Sequence, residues 1–592
     1  MQLHRRFETL RALTKGASRP VTAHLRIESG GRVRDVFLGG SAAPSARPPI
    51  VDWESAPLAD VFFETREGEA YELELGDRIL EGRVLERNLL RMEAGELVEL
   101  LTEQGSCRLG PDGLQVEAIR YHLAPRAGDR SPRSVKLDAA QQAIVDLPAK
   151  QAVLVLGEAG AGKTTVAVHR MARLLAENRH WRAGVIVPSE PLRFRIQSML
   201  ERLGVRNATV QSFDRWAAAE ARRLFPDLPA KDSRNAPAGV VRIKRDPALR
   251  VAMRALAERW SAKKPGVGRD DLWELFGDRS LLELVAAHAD PVLPLPQIDE
   301  VLAHTAAQFS ITTEEEWEGT DAESLATMDG AAIDEGTALA DAGTLDPEDP
   351  PVLFALDRLH AEKKRRPALE PRAFDLLFVD EAQELGPFEL ELIGRACRGS
   401  LIVAGDAGQQ VDPAANFRGW DRTLADLGVE DAARAELKIG YRCPPPIAAF
   451  AAAVAGTGPA PASDAVRFVP HDHESHLVAW LVDELRALRR EDPAITVGVV
   501  VRDAARFTRL LGRALPVVGA EELRPGAIHV VSVAAAKGLE FDTVVVADAD
   551  ESSFPDTPAS RRGLYVACTR ATHQLVLAWA GRASPILAVA AR

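Results

Sequence analysis

The stretch LGEAGAGKTTVAVHR, residues 156–170, decides the fold. It follows the apolar run QAVLVL (151–156) and fits the pattern G-x-x-x-x-G-K-[ST], which reads as strand, glycine loop, helix. In that order Gly157, Gly160 and Gly162 let the backbone turn tightly, so that its N–H groups surround phosphates. Lys163 then reaches the β and γ phosphates, the Thr164 hydroxyl meets Mg²⁺ at the helix N-terminus, and Thr165 completes the nucleotide-binding set. A glycine turn serving structure alone has no use for Lys and Thr at those places.

Such a site needs a second half, a buried strand ending in an acid. FDLLFVDEAQ (374–383) supplies it. Asp380 is placed to hold Mg²⁺ with Thr164, and Glu381 to position and deprotonate the attacking water. ATP and Mg²⁺ are therefore the expected cofactors.

Outward from these two segments the chain falls into blocks. Residues 1–130 carry short alternating runs separated by turn residues, which predicts a β-rich module. Over 131–230 apolar strands alternate with helical patterns, the mark of a parallel sheet. Residues 231–350 break the alternation with amphipathic helices. It resumes over 351–430, and a second α/β block follows over 431–592. The fold class expected is α/β: two P-loop-type domains with parallel sheets, an inserted mainly helical subdomain, and the N-terminal module. A chain of 592 residues is long enough for several such cores.

Charge is unevenly spread. The formal net charge of −13 argues against a broadly basic nucleic-acid binder. Residues 312–350, however, hold 13 acidic residues and no Lys, Arg or His, leaving 73 acids against 73 Lys plus Arg elsewhere. That tract reads as a solvated loop, or as an acidic arm that enters a basic channel on a partner. The four cysteines lack paired or metal-ligand spacing, so neither disulfides nor zinc are expected. The charged N-terminus has no signal-peptide pattern, and a soluble cytoplasmic monomer with no membrane partner is expected.

Further segments, in order, make the chain similar to the superfamily 1A helicases of UvrD/Rep type over most of 135–592. LDAAQQAIV (137–145) resembles the adenine-reading segment, with Gln141 at its glutamine. VIVPSEPLRFR (185–195) and VQSFDRW (210–216) stand where two strand-binding motifs occur. GDAGQ (405–409) gives Asp406 and Gln409 as γ-phosphate-sensing groups. GYRCP (440–444) and LYVACTRA (564–571) give Arg442 and Arg570 as arginine fingers from the second, RecA-like lobe. AAAKGLEFDTVVVAD (534–548) places Gly538 and Glu540 near ribose and phosphates. The resemblance implies two RecA-like domains and an ATP-dependent motor on single-stranded DNA or another nucleic acid.

Departures from that family bear on what is moved. Ala534 replaces the histidine of T-x-H-x-A-K-G, Asp412 replaces a tyrosine, and only residues 516–527 occupy the place of a large inserted 2B domain. Phe417 and Trp420 are candidates for stacking on bases. The stretches DVFLGG (35–40), PPIVDWESAPLADVFFE (48–64) and REGEAYEL (66–73) resemble the module of the HelD family, helicase-like ATPases that release RNA polymerase from nucleic acid. Asp52, Trp53 and Pro57 match its VDWRAP stretch, and Glu54 stands at its arginine. RNA polymerase is therefore the alternative partner.

Overall fold

The computed structural model describes residues 2–15, 20–75, 78–110, 113–118, 122–125, 137–158, 160–310, 341–410, 412–437, 443–459, 463–520, 524 and 526–590. The chain divides into two compact units, a central one of residues 134–440 and a terminal one combining 1–133 with 441–592.

The central unit is built on a six-stranded, wholly parallel sheet. Its order is Ala208–Ser212, Ala183–Val187, Phe374–Val379, Cys397–Gly405, Val153–Gly157 and Ala433–Leu437. The last strand lies beyond residue 430, where the sequence suggested that the block ends. Helices cover both faces, which is why the strands are apolar runs with no polar alternation. Along the strand that leads into the glycine loop, Val153 and Val155 face one core and Leu154 the other.

The inserted helices, among them Ala238–Arg245, Leu249–Arg259 and Leu295–Gln308, share the core that holds Leu154, Leu377 and Val403. They pack onto the sheet. Of the acidic tract, residues 312–340 lie outside the described residues. Its last ten residues correct the expectation of a solvated loop: Asp346 and Asp349 are buried on the ammonium of Lys244, at 2.7 and 2.6 Å. One ammonium in contact with both carboxylates makes this burial tolerable where isolated carboxylates would stay in water.

The terminal unit holds a second six-stranded parallel sheet, ordered Val466–His471, Ala571–Ala580, Phe541–Val546, Val497–Val501, Ile528–Ser532 and Val517–Val518. It also holds an eight-stranded sheet drawn from residues 23–117, antiparallel except where Ile50–Asp52 joins Arg32–Gly39. A helix over Gln2–Thr14 lies on that sheet through Phe7 and Leu10. The two sheets of this unit share one core, in which Leu25, Trp53, Phe62 and Phe63 meet Leu477, Leu481 and Val499.

Candidate nucleotide site

The glycine loop follows the strand Val153–Gly157, and the helix Lys163–Glu177 leaves it. Two glycines there are forced by space. A Cβ on Gly157 would lie 2.7 Å from the Leu437 carbonyl of the neighbouring strand. Gly162 has φ +88°, and a Cβ on it would lie 2.8 Å from Nε2 of Gln141. Gly160 also has positive φ, and Thr165 sits half-buried in the first helical turn.

Lys163 donates from Nζ to the carbonyls of Gly157 (2.8 Å) and Glu158 (3.0 Å), and lies 3.7 Å from Asp406 Oδ2. The cation is thus folded over the glycine loop. Thr164 Oγ1 donates to Asp380 Oδ2 at 2.8 Å, joining the loop to the end of the acid strand. Burial pushes the Asp380 carboxyl up to about 6, and the neighbouring Glu381 charge adds to it, while the Thr164 hydrogen bond opposes them. A carboxylate made costly in this way is suited to a hard divalent cation, which removes the cost of its charge. The cradle, the lysine, the hydroxyl and the acid fit MgATP.

Glu381 stands in the left-handed region at φ +51°. Backbone strain of this kind is held only where surroundings over-determine it, and it clusters at working sites. Here Gln383 Nε2 donates to Glu381 Oε2 at 2.5 Å while Gln383 Oε1 accepts from the Asp406 amide at 3.1 Å. Gln409 Nε2 in turn donates to Asp406 Oδ2 at 2.6 Å. Gln383 therefore links the acid strand to the segment that carries Asp406 and Gln409. It was not singled out from the sequence, where only its place in DEAQ marks it.

Gln141 is buried and donates to the Ala161 carbonyl at 3.3 Å, held by a reciprocal cap with Asp138. Arg170, also not singled out beforehand, locks this arrangement. Fully buried, it donates to the carbonyls of Leu147 (2.6 Å) and Pro148 (2.8 Å), tying the phosphate-loop helix to the glutamine segment.

The central unit thus brings together Gln141, Gly157, Gly160, Gly162, Lys163, Thr164, Thr165, Asp380, Glu381 and Gln409. Gly538, Glu540 and Arg570 belong to the terminal unit. Gly538 has φ +73°, Glu540 is exposed, and the buried Arg570 donates from Nε to the Val566 carbonyl and from Nη2 to Thr569 Oγ1, both at 3.0 Å. Arg442 lies outside the described residues.

The two segments expected to bind the strand are joined by Glu190, whose carboxylate accepts from Ser212 Oγ at 2.5 Å and from Arg193 Nε at 2.8 Å. The Arg193 guanidinium lies 4.0 Å from the ring centre of Phe194, which is 42% exposed. Phe417 and Trp420 meet edge to face, both half-buried, with Trp420 packed against Gly405.

Comparison with known proteins agrees with this chemistry. Residues 140–414 match the model of an AAA domain, and residues 527–578 that of the UvrD-like helicase C-terminal domain. Together the two matches support a superfamily 1 helicase of UvrD/Rep type, and with it an ATP-hydrolysing enzyme. No curated protein matches the chain. Among solved structures, the C-terminal domain of a possible DNA helicase from Lactobacillus plantarum WCFS1 is 28% identical. It aligns over 26% of this chain and 94% of its own, with a TM-score of 0.22, too low to carry a structural argument. Among the described residues no helix is long and apolar enough to cross a membrane.

Proposed function

We propose that this chain is a superfamily 1 helicase-type motor that couples ATP hydrolysis to movement on nucleic acid, with single-stranded DNA as its track. One observation carries the reading: Thr164 and Asp380, 216 residues apart, meet at 2.8 Å beside the folded-over Lys163. In this reading Thr164 and Asp380 hold Mg²⁺, which neutralises phosphate charge when bound. Gln141 reads adenine, and the loop from Gly157 through Thr165 holds the phosphates. Glu381 takes the proton of the attacking water, and Gln409 senses the γ-phosphate. Arg442 and Arg570 act from the second lobe, with Gly538 and Glu540 near ribose. Arginines of that kind make closure depend on the γ-phosphate, so hydrolysis removes the contacts that held two lobes together.

Nucleic acid as the track is supported by Arg193 and Phe194, a cation over an exposed ring on a strand-binding segment, the pairing that stacks on any base. The test is steady-state ATPase with and without single-stranded DNA over a salt series. DNA stimulation of at least about tenfold is expected, falling steeply with salt. Lys163→Ala should lower turnover by on the order of 10²-fold or more. Unstimulated turnover, or wild-type turnover in the variant, overturns the reading.

A second reading is a HelD-like ATPase that releases RNA polymerase from nucleic acid. It is favoured by the VDW stretch, whose Trp53 sits in the core shared with the second parallel sheet. Any movement of that sheet therefore carries the module. Nuclease-resistant co-purification with RNA polymerase, alongside weak DNA stimulation, would select it.

A further inference from the structure

Lys244 and Arg245 close the first inserted helix, Ala238–Arg245, and their side chains reach two different places. Lys244 is fully buried between Asp346 and Asp349, where the chain returns from the acidic tract; Gln308 also donates to Asp349 at 2.6 Å and His304 meets Asp346 at 2.8 Å. Arg245, 8% exposed, reaches the segments that follow Gln383 and Gln409. Its Nη2 donates to the carbonyl of Glu384 (2.6 Å), one residue past DEAQ, and to Glu389 Oε2 (2.8 Å). Its Nη1 donates to Asp412 Oδ2 (2.5 Å), three residues past the sensor Gln409. One guanidinium thus clamps the segment after the acid strand and the segment after the γ-phosphate sensor.

The neighbouring contacts make this clamp specific. Glu384 Oε2 accepts from the Asp412 amide at 3.3 Å, and Asp412 Oδ1 caps the short turn Pro413–Ala415 through the Ala414 amide at 2.9 Å. Asn416, at φ +56°, donates from Nδ2 to Asp246 at 3.3 Å, and Asp246 Oδ1 accepts from the Ala248 amide just ahead of the helix Leu249–Arg259. The segment 412–416 is therefore fastened at both ends, to Arg245 and to Asp246. Asp412 stands where the resembled helicases carry tyrosine. Its carboxylate gives the Arg245 guanidinium a charge-assisted hydrogen bond, which a neutral tyrosine hydroxyl would supply only more weakly.

We propose that Arg245 is a positioning residue through which nucleotide state at the sensor segment is transmitted to the base of the acidic tract. The inference rests on the ATP-site reading above for the nature of the signal, and on the clamp for its route. A γ-phosphate that draws in Gln409 pulls on segment 412–416. Arg245 passes that pull to the end of its helix, and the adjoining Lys244 passes it to Asp346 and Asp349. Contiguity alone does not make coupling, so the experiment must read coupling itself.

The full chain is compared with and without a non-hydrolysable ATP analogue by hydrogen–deuterium exchange over residues 341–349 and 412–416, and by steady-state ATPase. Removing Arg245 leaves Glu389 buried and unpaired and endangers folding, so the main variant is Asp412→Asn, which keeps the Arg245–Glu389 pair. In the wild type the analogue should slow exchange in both segments. In Asp412→Asn protection at 341–349 should be lost while analogue affinity stays within about twofold. Its kcat should fall roughly fivefold or more with unchanged KM, and Asp412→Glu should restore most of it. Wild-type chain that hydrolyses ATP without a change at 341–349, or Asp412→Asn with full coupling, overturns the relay and leaves the ATPase reading standing. A chain that neither binds nor hydrolyses nucleotide overturns both.

Discussion

At the scale of single residues, the site is a set of charges whose burial is compensated locally. Lys163 is satisfied by two loop carbonyls and the nearby Asp406, and Asp380 by the Thr164 hydroxyl. Glu381 differs, because its carboxylate is aimed by a strained backbone and by Gln383. Its isosteric change tests the assignment most sharply. Glu381→Gln should lower turnover by on the order of 10²–10³-fold and leave the affinity for a non-hydrolysable analogue within about twofold. An equilibrium titration beside a phosphate-release assay checks both. Equal losses in both would assign Glu381 to binding. Glu54 is instructive at the same scale. It stands at an arginine of the resembled module, and here it faces the Arg506 guanidinium at 3.1 Å, which also pairs with Glu474. A second arginine would have met like charge.

At the scale of elements, the helix Asp349–Lys364 begins beside two buried cations and several acids. Desolvation pushes its N-cap Glu348 up from 4.5 to about 8, against the pull of Arg245 and Lys244. The native state therefore holds a proton that the unfolded chain releases between those values. The contribution of this group to stability is fully present below about pH 4.5 and is lost as pH rises towards 8. Glu348→Gln, neutral throughout, should raise the melting temperature at pH 8 and leave it unchanged near pH 4.5. Thermal melts at both values decide, and an equal shift at each would show that charge is not the cause. Element boundaries in this region were the least legible part of the sequence. The run of acids to residue 350 looks uniform, yet Asp346 and Asp349 are buried because Lys244, about 100 residues earlier, reaches them.

At the scale of the molecule, the N-terminal sheet and the second parallel sheet are stabilised by one core although the central unit separates them along the chain. Trp53 packs edge-on to Phe63 at 6.3 Å and to His473 at 6.0 Å, and is 5% exposed. Arg87 adds polar contacts, donating to the Phe62 carbonyl at 2.6 Å and to Asp483 at 2.8 Å. Trp53→Ala should cost about 3–5 kcal/mol and lower the denaturant midpoint for both sheets of that unit together. Separate transitions, with the second sheet unaffected, would show two independent domains. The sequence offered the module and the second α/β block as separate domains, because their shared core depends on contacts as distant along the chain as Trp53 with His473.

The nucleotide chemistry was legible in the sequence because it is local. A glycine loop needs its glycines, lysine and threonine within eight consecutive residues, and an acid strand needs its carboxylates at one end. Parallel strands likewise announce themselves as short apolar runs. Tertiary structure alone decided which distant groups meet: Arg170 on the glutamine segment, Arg245 on Asp412, Glu54 on Arg506, Trp53 within a second sheet's core. Pairings of that kind depend on where the fold carries each side chain. The spacing that makes a loop or strand readable holds no record of them.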